Sequence, residues 1–167
     1  MPSLKISKEL NDGAYFLTFT VRKWYYLFDR HNRWEILKDA LLYCRKEKQL
    51  KIYGFVFMLN HIHLIVDSPD VLGFVRDFKR HTGRELHKNI LAHEPNIERL
   101  FLEEKGSFLL WQETNMPIFL ESEKVFQQKL NYILQNPVRK NYVTREEDWY
   151  WSSANPECEI KADEVNE

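Results

Sequence analysis

Two periodicities alternate along the chain. Apolar, aromatic and β-branched residues crowd Ala14 to Val21 (AYFLTFTV) just after Asp12-Gly13, a turn signal, which predicts a first strand whose exposed end carries Arg22 and Lys23. From Arg33 to Lys48 the period changes to a helical one: Trp34, Leu37, Leu41 and Cys44 recur on one stripe that Ile36, Ala40 and Tyr43 widen. Leu50 to Leu59 and His61 to Asp67 are β-type runs parted only by Asn60, which predicts an antiparallel hairpin with a tight connection near Met58 to Asn60. Asp70 is placed to N-cap a second helix, whose apolar face runs through Val71, Leu72, Phe74, Val75, Phe78, Leu86 and Ile90 with an interruption near Gly83. Its other face carries Arg76, Lys79, Arg80, Arg84 and Lys88.

Further on, Phe108 to Gln112 and Ile118 to Leu120 read as short strands around an Asn-Met-Pro turn. A third helix starts at Glu121 or Ser122, with Ser122 a possible N-cap, and stops at Gln135, because the residue before Pro137 resists α geometry. The order β-α-β-β-α-β-β-α predicts an α+β fold, an antiparallel sheet with flanking helices. Residues 1–155 read as a single domain, followed by an acidic tail, 156–167, expected to be partly disordered.

Composition narrows the class. The 167 residues, 44% apolar and 14% aromatic, suffice for one domain with a real core. Apolar runs are far shorter than the roughly 20 residues of a membrane helix, and Met-Pro-Ser-Leu-Lys is no signal peptide, so a cytoplasmic protein is expected. Cys44 and Cys158 stand far apart without a CxxC pattern and read as structural thiols. A net charge of −1 argues against a nucleic-acid partner only until it is divided along the chain. Thr144 to Glu167 holds eight acidic residues against two basic, leaving Met1 to Val143 with 22 basic and 17 acidic.

Candidate chemistry gathers in two stretches. In LNHIHLIV (Leu59 to Val66), strand alternation puts His61 and His63 on one face and Ile62, Leu64 and Val66 on the other. Two imidazoles at i, i+2 can share one ion, yet they are two ligands and not a complete site, and the pair alone is equally compatible with a structural role at a strand end. A histidine-triad hydrolase is excluded because position 65 is Ile65; paired His-x-Ser/Thr motifs, HExxH and a Gly-rich phosphate loop are also absent.

The second stretch is KLNYILQNPVRKNYV, Lys129 to Val143. Phe126, Leu130 and Ile133 form its buried stripe; Tyr132 lies off the centre of that stripe, with Gln135 and Asn136 three and four residues on. A phenol can cleave a phosphodiester through a covalent phosphotyrosine, but with an ordinary pKa of about 10 it needs activation or an electrophilic phosphorus, which a divalent metal supplies. An isolated YxxQNP reads first as an ordinary helix stop, and only the histidine pair beside it changes that reading.

Together these residues resemble the single-tyrosine transposases of the His-hydrophobic-His (HUH) class, and within it the REP-associated tyrosine transposases. The resemblance runs from about Tyr15 to Ala154, through FVFMLNHIHLI (Phe55 to Ile65), Trp111-Gln112, YILQNPV (Tyr132 to Val138) and WYWSS (Trp149 to Ser153). It implies a ferredoxin-like or RRM-like HUH endonuclease fold and metal-dependent cutting and rejoining of single-stranded DNA near hairpins through a 5′-phosphotyrosine. By motif, Tyr132 matches the nucleophile and His61 and His63 the metal-binding pair. Asn136 is the first choice for third ligand and Gln135 the alternative, with Mg²⁺ or Mn²⁺ as the ion. Members commonly read Tyr-Ile-His-x-Asn-Pro, and here position 134 is Leu134.

Candidate DNA-binding residues are Arg22, Lys23, Arg76, Lys79, Arg80, Arg84 and Lys88, set against ordinary solvation of a charged helix face. Other readings are an inactive relative that binds hairpin nucleic acid without cutting, and a hydrolase of small phosphoesters, which leaves Tyr132 unused. The oligomeric state stays open, a homodimer included. The aromatic residues Trp149 to Trp151 are expected to close the core.

Overall fold

The computed structural model of the protein describes residues 13–113 and 116–165. Four strands, β1 (Tyr15–Thr20), β2 (Lys51–Phe57), β3 (His61–Asp67) and β4 (Ile118–Phe119), form one sheet in the order β2-β3-β1-β4, with every neighbouring pair antiparallel. Helices α1 (Arg33–Glu47) and α2 (Val71–His93) follow β1 and β3, which gives the ferredoxin-like arrangement that the sequence pattern predicts. Helices α3 (Glu123–Leu134) and α4 (Asn136–Arg139) come after β4.

Strand alternation sorts the side chains into two cores. Leu17, Phe19, Ile62, Leu64 and Val66 join Leu37 and Leu41 of α1 and Phe74, Phe78, Leu86 and Ile90 of α2 in the larger one. Phe16, Val56, Ile65 and Ile133 form the smaller one on the opposite face, under α3. A register shift between Ile52 and Gly54 lets Ile52, Phe55 and Phe57 share the larger core although their spacing breaks strict alternation. A Cβ at Gly54 would lie 2.5 Å from Leu130 Cδ1, so the missing side chain is what lets α3 approach β2.

Asp70 and Ser122 cap α2 and α3 as expected, accepting from Gly73 N at 2.9 Å and Val125 N at 3.2 Å. The interruption of the α2 apolar stripe near Gly83 is the buried Thr82, whose hydroxyl donates to Phe78 O and accepts from Trp111 Nε1, while the helix itself runs on. Expectations are corrected at Phe108 to Gln112 and at the end of α3. Phe108 to Gln112 is not a regular strand: Leu109 N donates to Phe101 O while Gln112 N donates to Thr20 O, so its backbone divides between two neighbours. Part of the Asn-Met-Pro turn, Asn115, lies outside the described residues, as do Asp12 of the Asp-Gly turn signal and residues 166–167 of the tail.

The chain does not simply stop at Gln135 but re-enters a helical turn as α4, with Pro137 in its first turn, where no backbone N–H is needed. The acidic segment makes contacts with the body of the fold through a few residues. Cys158 and Ile160 are buried in the larger core, and Asp163 exchanges hydrogen bonds with the backbone of Ile52, so the segment covers the β2 edge. Both cysteines are buried and unpaired, and burial pushes both thiols up. Trp151 is in the core and Trp149 donates Nε1 to Phe57 O, while Tyr150 is exposed. No helix among the described residues is long and apolar enough to cross a membrane.

Candidate active site

The smaller core is where polar chemistry is buried. His61 and His63 share its face of β3, their ring centroids 4.8 Å apart. His63 is only 6% exposed and stacks on Phe16 at 5.4 Å. Each imidazole is held by its Nδ1. For His61 the partner is Asn60 Oδ1 at 2.7 Å, and the Asn60 amide orientation follows from its nitrogen donating to Trp24 O at 3.1 Å. An amide oxygen can only accept, so His61 carries its proton on Nδ1 and leaves a lone pair on Nε2. Strand pairing sets Thr18 opposite His63, with Oγ1 2.9 Å from His63 Nδ1, where it can accept in the same way.

Burial also fixes the charge state. It pushes His61 down to about 4, with Lys140 adding to the effect, and His63 to about 3, with His61, Arg139 and Lys129 contributing. Both rings are therefore neutral near pH 7, the form that binds metals.

The break between α3 and α4 turns Asn136 inward, 5% exposed, with Nδ2 3.3 Å from His61 Nε2. That contact treats Nε2 as an acceptor, in agreement with the tautomer, and a flip of the amide would present its oxygen instead. Gln135 faces outward and donates to Glu146 at 2.5 Å. Among the described residues no three His, Cys, Asp or Glu side chains come together as a metal cage. The donor set is two neutral imidazole nitrogens, each backed by a hydrogen-bonding oxygen, plus one buried amide; it fits a divalent ion that keeps open positions for phosphate or water.

Tyr132 projects beside this set from α3, 49% exposed, its ring edge-on to His63 at 5.8 Å. The Arg139 guanidinium lies 4.4 Å from its ring centroid and the Lys129 ammonium 5.9 Å. Lys129, Arg139 and Lys140 thus supply the positive charge at the site, and sequence reasoning missed all three. Asn60 and Thr18 were missed as well; Asn60 adjoins the histidine motif directly, whereas Thr18 needs the β1-β3 register.

The seven predicted basic residues do not join the histidines and tyrosine. Helix α2 packs on the opposite face of the sheet, where Arg76 pairs with Asp77, Lys88 with Glu85, and Lys79 reaches Gln112 O. Lys79, Arg80 and Arg84 line a separate cavity there of about 370 Å³. Arg22 and Lys23 lie nearer, at the sheet end where Val21 N donates to Asn60 O.

The sheet is ferredoxin-like and carries a strand-borne His pair against a tyrosine helix. The chain belongs to the IS200-like transposases, whose family model matches residues 11–108, a span that includes His61 and His63 and ends before Tyr132. Among solved structures it is similar to a REP-associated tyrosine transposase bound to a REP hairpin, 19% identical, with a TM-score of 0.65 over 84% of this chain and 76% of that one. It is also similar to a candidate transposase from Deinococcus radiodurans R1, 20% identical, with a TM-score of 0.49 over 72% of this chain and 87% of that one. At such identities the first likeness speaks for the fold. No curated protein sequence matches the chain.

Proposed function

We propose that this IS200-like transposase is a single-tyrosine HUH endonuclease of the REP-associated type. It cuts and rejoins single-stranded, hairpin-associated DNA in the cytoplasm. The observation that carries the reading is the convergence of His61, His63 and Asn136 beside Tyr132, from β3 and from both sides of the α3-α4 break. Hairpin DNA as substrate class is supported by the relative solved on a REP hairpin.

His61 Nε2, His63 Nε2 and the Asn136 amide oxygen would hold Mg²⁺ or Mn²⁺, which supplies Lewis-acid polarisation of the scissile phosphate. The chain does the rest. Asn60 and Thr18 keep both imidazoles in the ligand tautomer. Tyr132 Oη attacks phosphorus and gives its phenolic proton to water, a P–O bond to the tyrosine forms, and the bond to the 3′-oxygen breaks, that oxygen leaving as a hydroxyl with a proton from water. Lys129 and Arg139 flank the ring where phosphate charge arrives. Attack by a 3′-hydroxyl reverses the step and frees Tyr132. The Tyr132 ring beside His63 of the same chain supports a site built within one chain.

The test is incubation with an end-labelled hairpin oligonucleotide with a single-stranded flank, in Mg²⁺ or Mn²⁺. A denaturation-resistant protein–DNA adduct that disappears in Tyr132→Phe supports the reading; undiminished cleavage in that variant sinks it. Tight hairpin binding with no adduct in either metal selects the second reading, a binding protein that does not cut, for which the cations of α2 would be the contact surface.

A further inference from the structure

The loop after β1 exposes Trp24, 68% accessible, more than any other large hydrophobic side chain among the described residues. Tryptophan is seldom presented to water without a partner in view. The loop also adopts an uncommon backbone. Lys23 at φ 61° and Trp24 at φ 51° are consecutive left-handed residues, and neither is glycine. Such conformations persist only where the surroundings impose them, and they cluster where a side chain is held out for use.

The restraints are identifiable. Val21 N donates to Asn60 O at 2.9 Å, Trp24 N to Val21 O at 3.0 Å, and Asn60 Nδ2 to Trp24 O at 3.1 Å. The last bond comes from the side chain whose oxygen orients His61, so the loop holding the indole outward is pinned to the same residue as the imidazole. Two cations, Arg22 and Lys23, precede Trp24 in the loop. Two further rings are exposed, Tyr26 two residues on and Tyr142, which stacks on Trp149 at 5.5 Å. Exposed aromatic rings interleaved with cations suit unpaired bases, whose faces are free; in a duplex those faces are already stacked.

We propose that Trp24 stacks on an unpaired base of the DNA strand whose phosphate enters the His61, His63 and Tyr132 site, with Lys23 on an adjoining phosphate. The loop thereby selects single-stranded flanks over duplex. This rests on the function proposed above and adds a specificity-determining residue to it.

The experiment uses the full chain carrying Tyr132→Phe, so that binding is read without cutting. Trp111 and Trp151 are buried and Trp34 and Trp149 partly so, which leaves Trp24 as the main solvent-facing emitter. A hairpin oligonucleotide with a single-stranded flank is expected to quench tryptophan fluorescence, and a blunt duplex of equal length is not. Trp24→Ala should abolish the quench and raise Kd roughly 5- to 100-fold, with Trp24→Phe between. An abasic position in the flank should cost the Trp24 protein a similar factor and the Trp24→Ala protein nothing more. Equal quenching by duplex, or an affinity indifferent to Trp24→Ala, overturns the proposal. Adduct formation is scored separately with Tyr132 intact: an adduct without any Trp24 effect overturns stacking alone, and stacking without an adduct overturns the nuclease reading alone.

Discussion

On one face of the sheet, α1 and α2 close over a broad apolar core, and the one fully buried charge among the described residues, Arg33, is tied to Glu94, Asn89 and Leu27 O through Nη1 and Nε. On the other face α3 covers a smaller cluster, where His61 and His63 use Nδ1 for Asn60 and Thr18 and His61 Nε2 meets Asn136 Nδ2 at 3.3 Å. Charge follows the same division. Of the α2 cations Arg76 and Lys88 are in ion pairs and Lys79 is on a backbone carbonyl, while Lys129 and Arg139 sit over the Tyr132 ring, Arg139 also donating to Tyr132 O. Backing each Nδ1 with an oxygen leaves a lone pair on Nε2 that an ion could take in place of the Asn136 amide, which points to a ligand site. Arg33, bonded through Nη1 and Nε with Nη2 buried and unpartnered, has a structural role.

That contrast can be broken at several points. Tyr132→Phe should lower cleavage by at least about 10³-fold in a gel assay and leave stability within about 0.5 kcal/mol, because the hydroxyl comes from a half-exposed side chain. On the opposite face Phe78→Ala should do the reverse: denaturant titration should show a loss of about 3–5 kcal/mol, since Phe78 is 1% exposed and packs on Phe19 and Phe74. His63→Ala should weaken Mn²⁺ binding about 100-fold or more by calorimetry. Thr18→Val, which keeps the shape and removes the acceptor, should weaken it about 10- to 100-fold with little change in melting temperature. Equal affinity in the Thr18 variant would mean that the hydroxyl does not orient the ring.

The smallest effect is on pH. With His61 at about 4 and His63 at about 3, below the ordinary 6.5, the unfolded chain binds protons that the folded one refuses. Stability of the metal-free protein is therefore complete above about 6.5 and lost as pH falls towards the folded values, by about 1 kcal/mol per histidine one unit below 6.5. Melting curves of a His61→Gln, His63→Gln variant should lose that acid slope; an unchanged slope would contradict buried neutral imidazoles.

Much of this was legible in the sequence because period and capping chemistry are local. AYFLTFTV, the helix stripe of Trp34, Leu37 and Leu41, and the caps Asp70 and Ser122 each announce their element without help from the rest of the chain. The face shared by His61 and His63 follows from alternation alone. Tertiary pairing was not legible. Thr18 meets His63 only through the β1-β3 register, and Thr82 looks like a gap in a stripe until Trp111 is seen to fill it. Acidic composition hid Cys158 and Ile160, two apolar anchors among charges. The basic face of α2 was visible as a cluster, but helical periodicity does not say which side of the sheet a helix covers.

The central claim is that one particular phenol does the chemistry, in a chain with eight tyrosines. The most direct measurement is mass spectrometry of the protease-digested adduct formed with a hairpin oligonucleotide and Mn²⁺. The account predicts a nucleotide remnant on the peptide containing Tyr132, joined through the phenolic oxygen to a 5′-phosphate. A remnant on Tyr26, Tyr142 or any other residue, with Tyr132 unmodified, would contradict it.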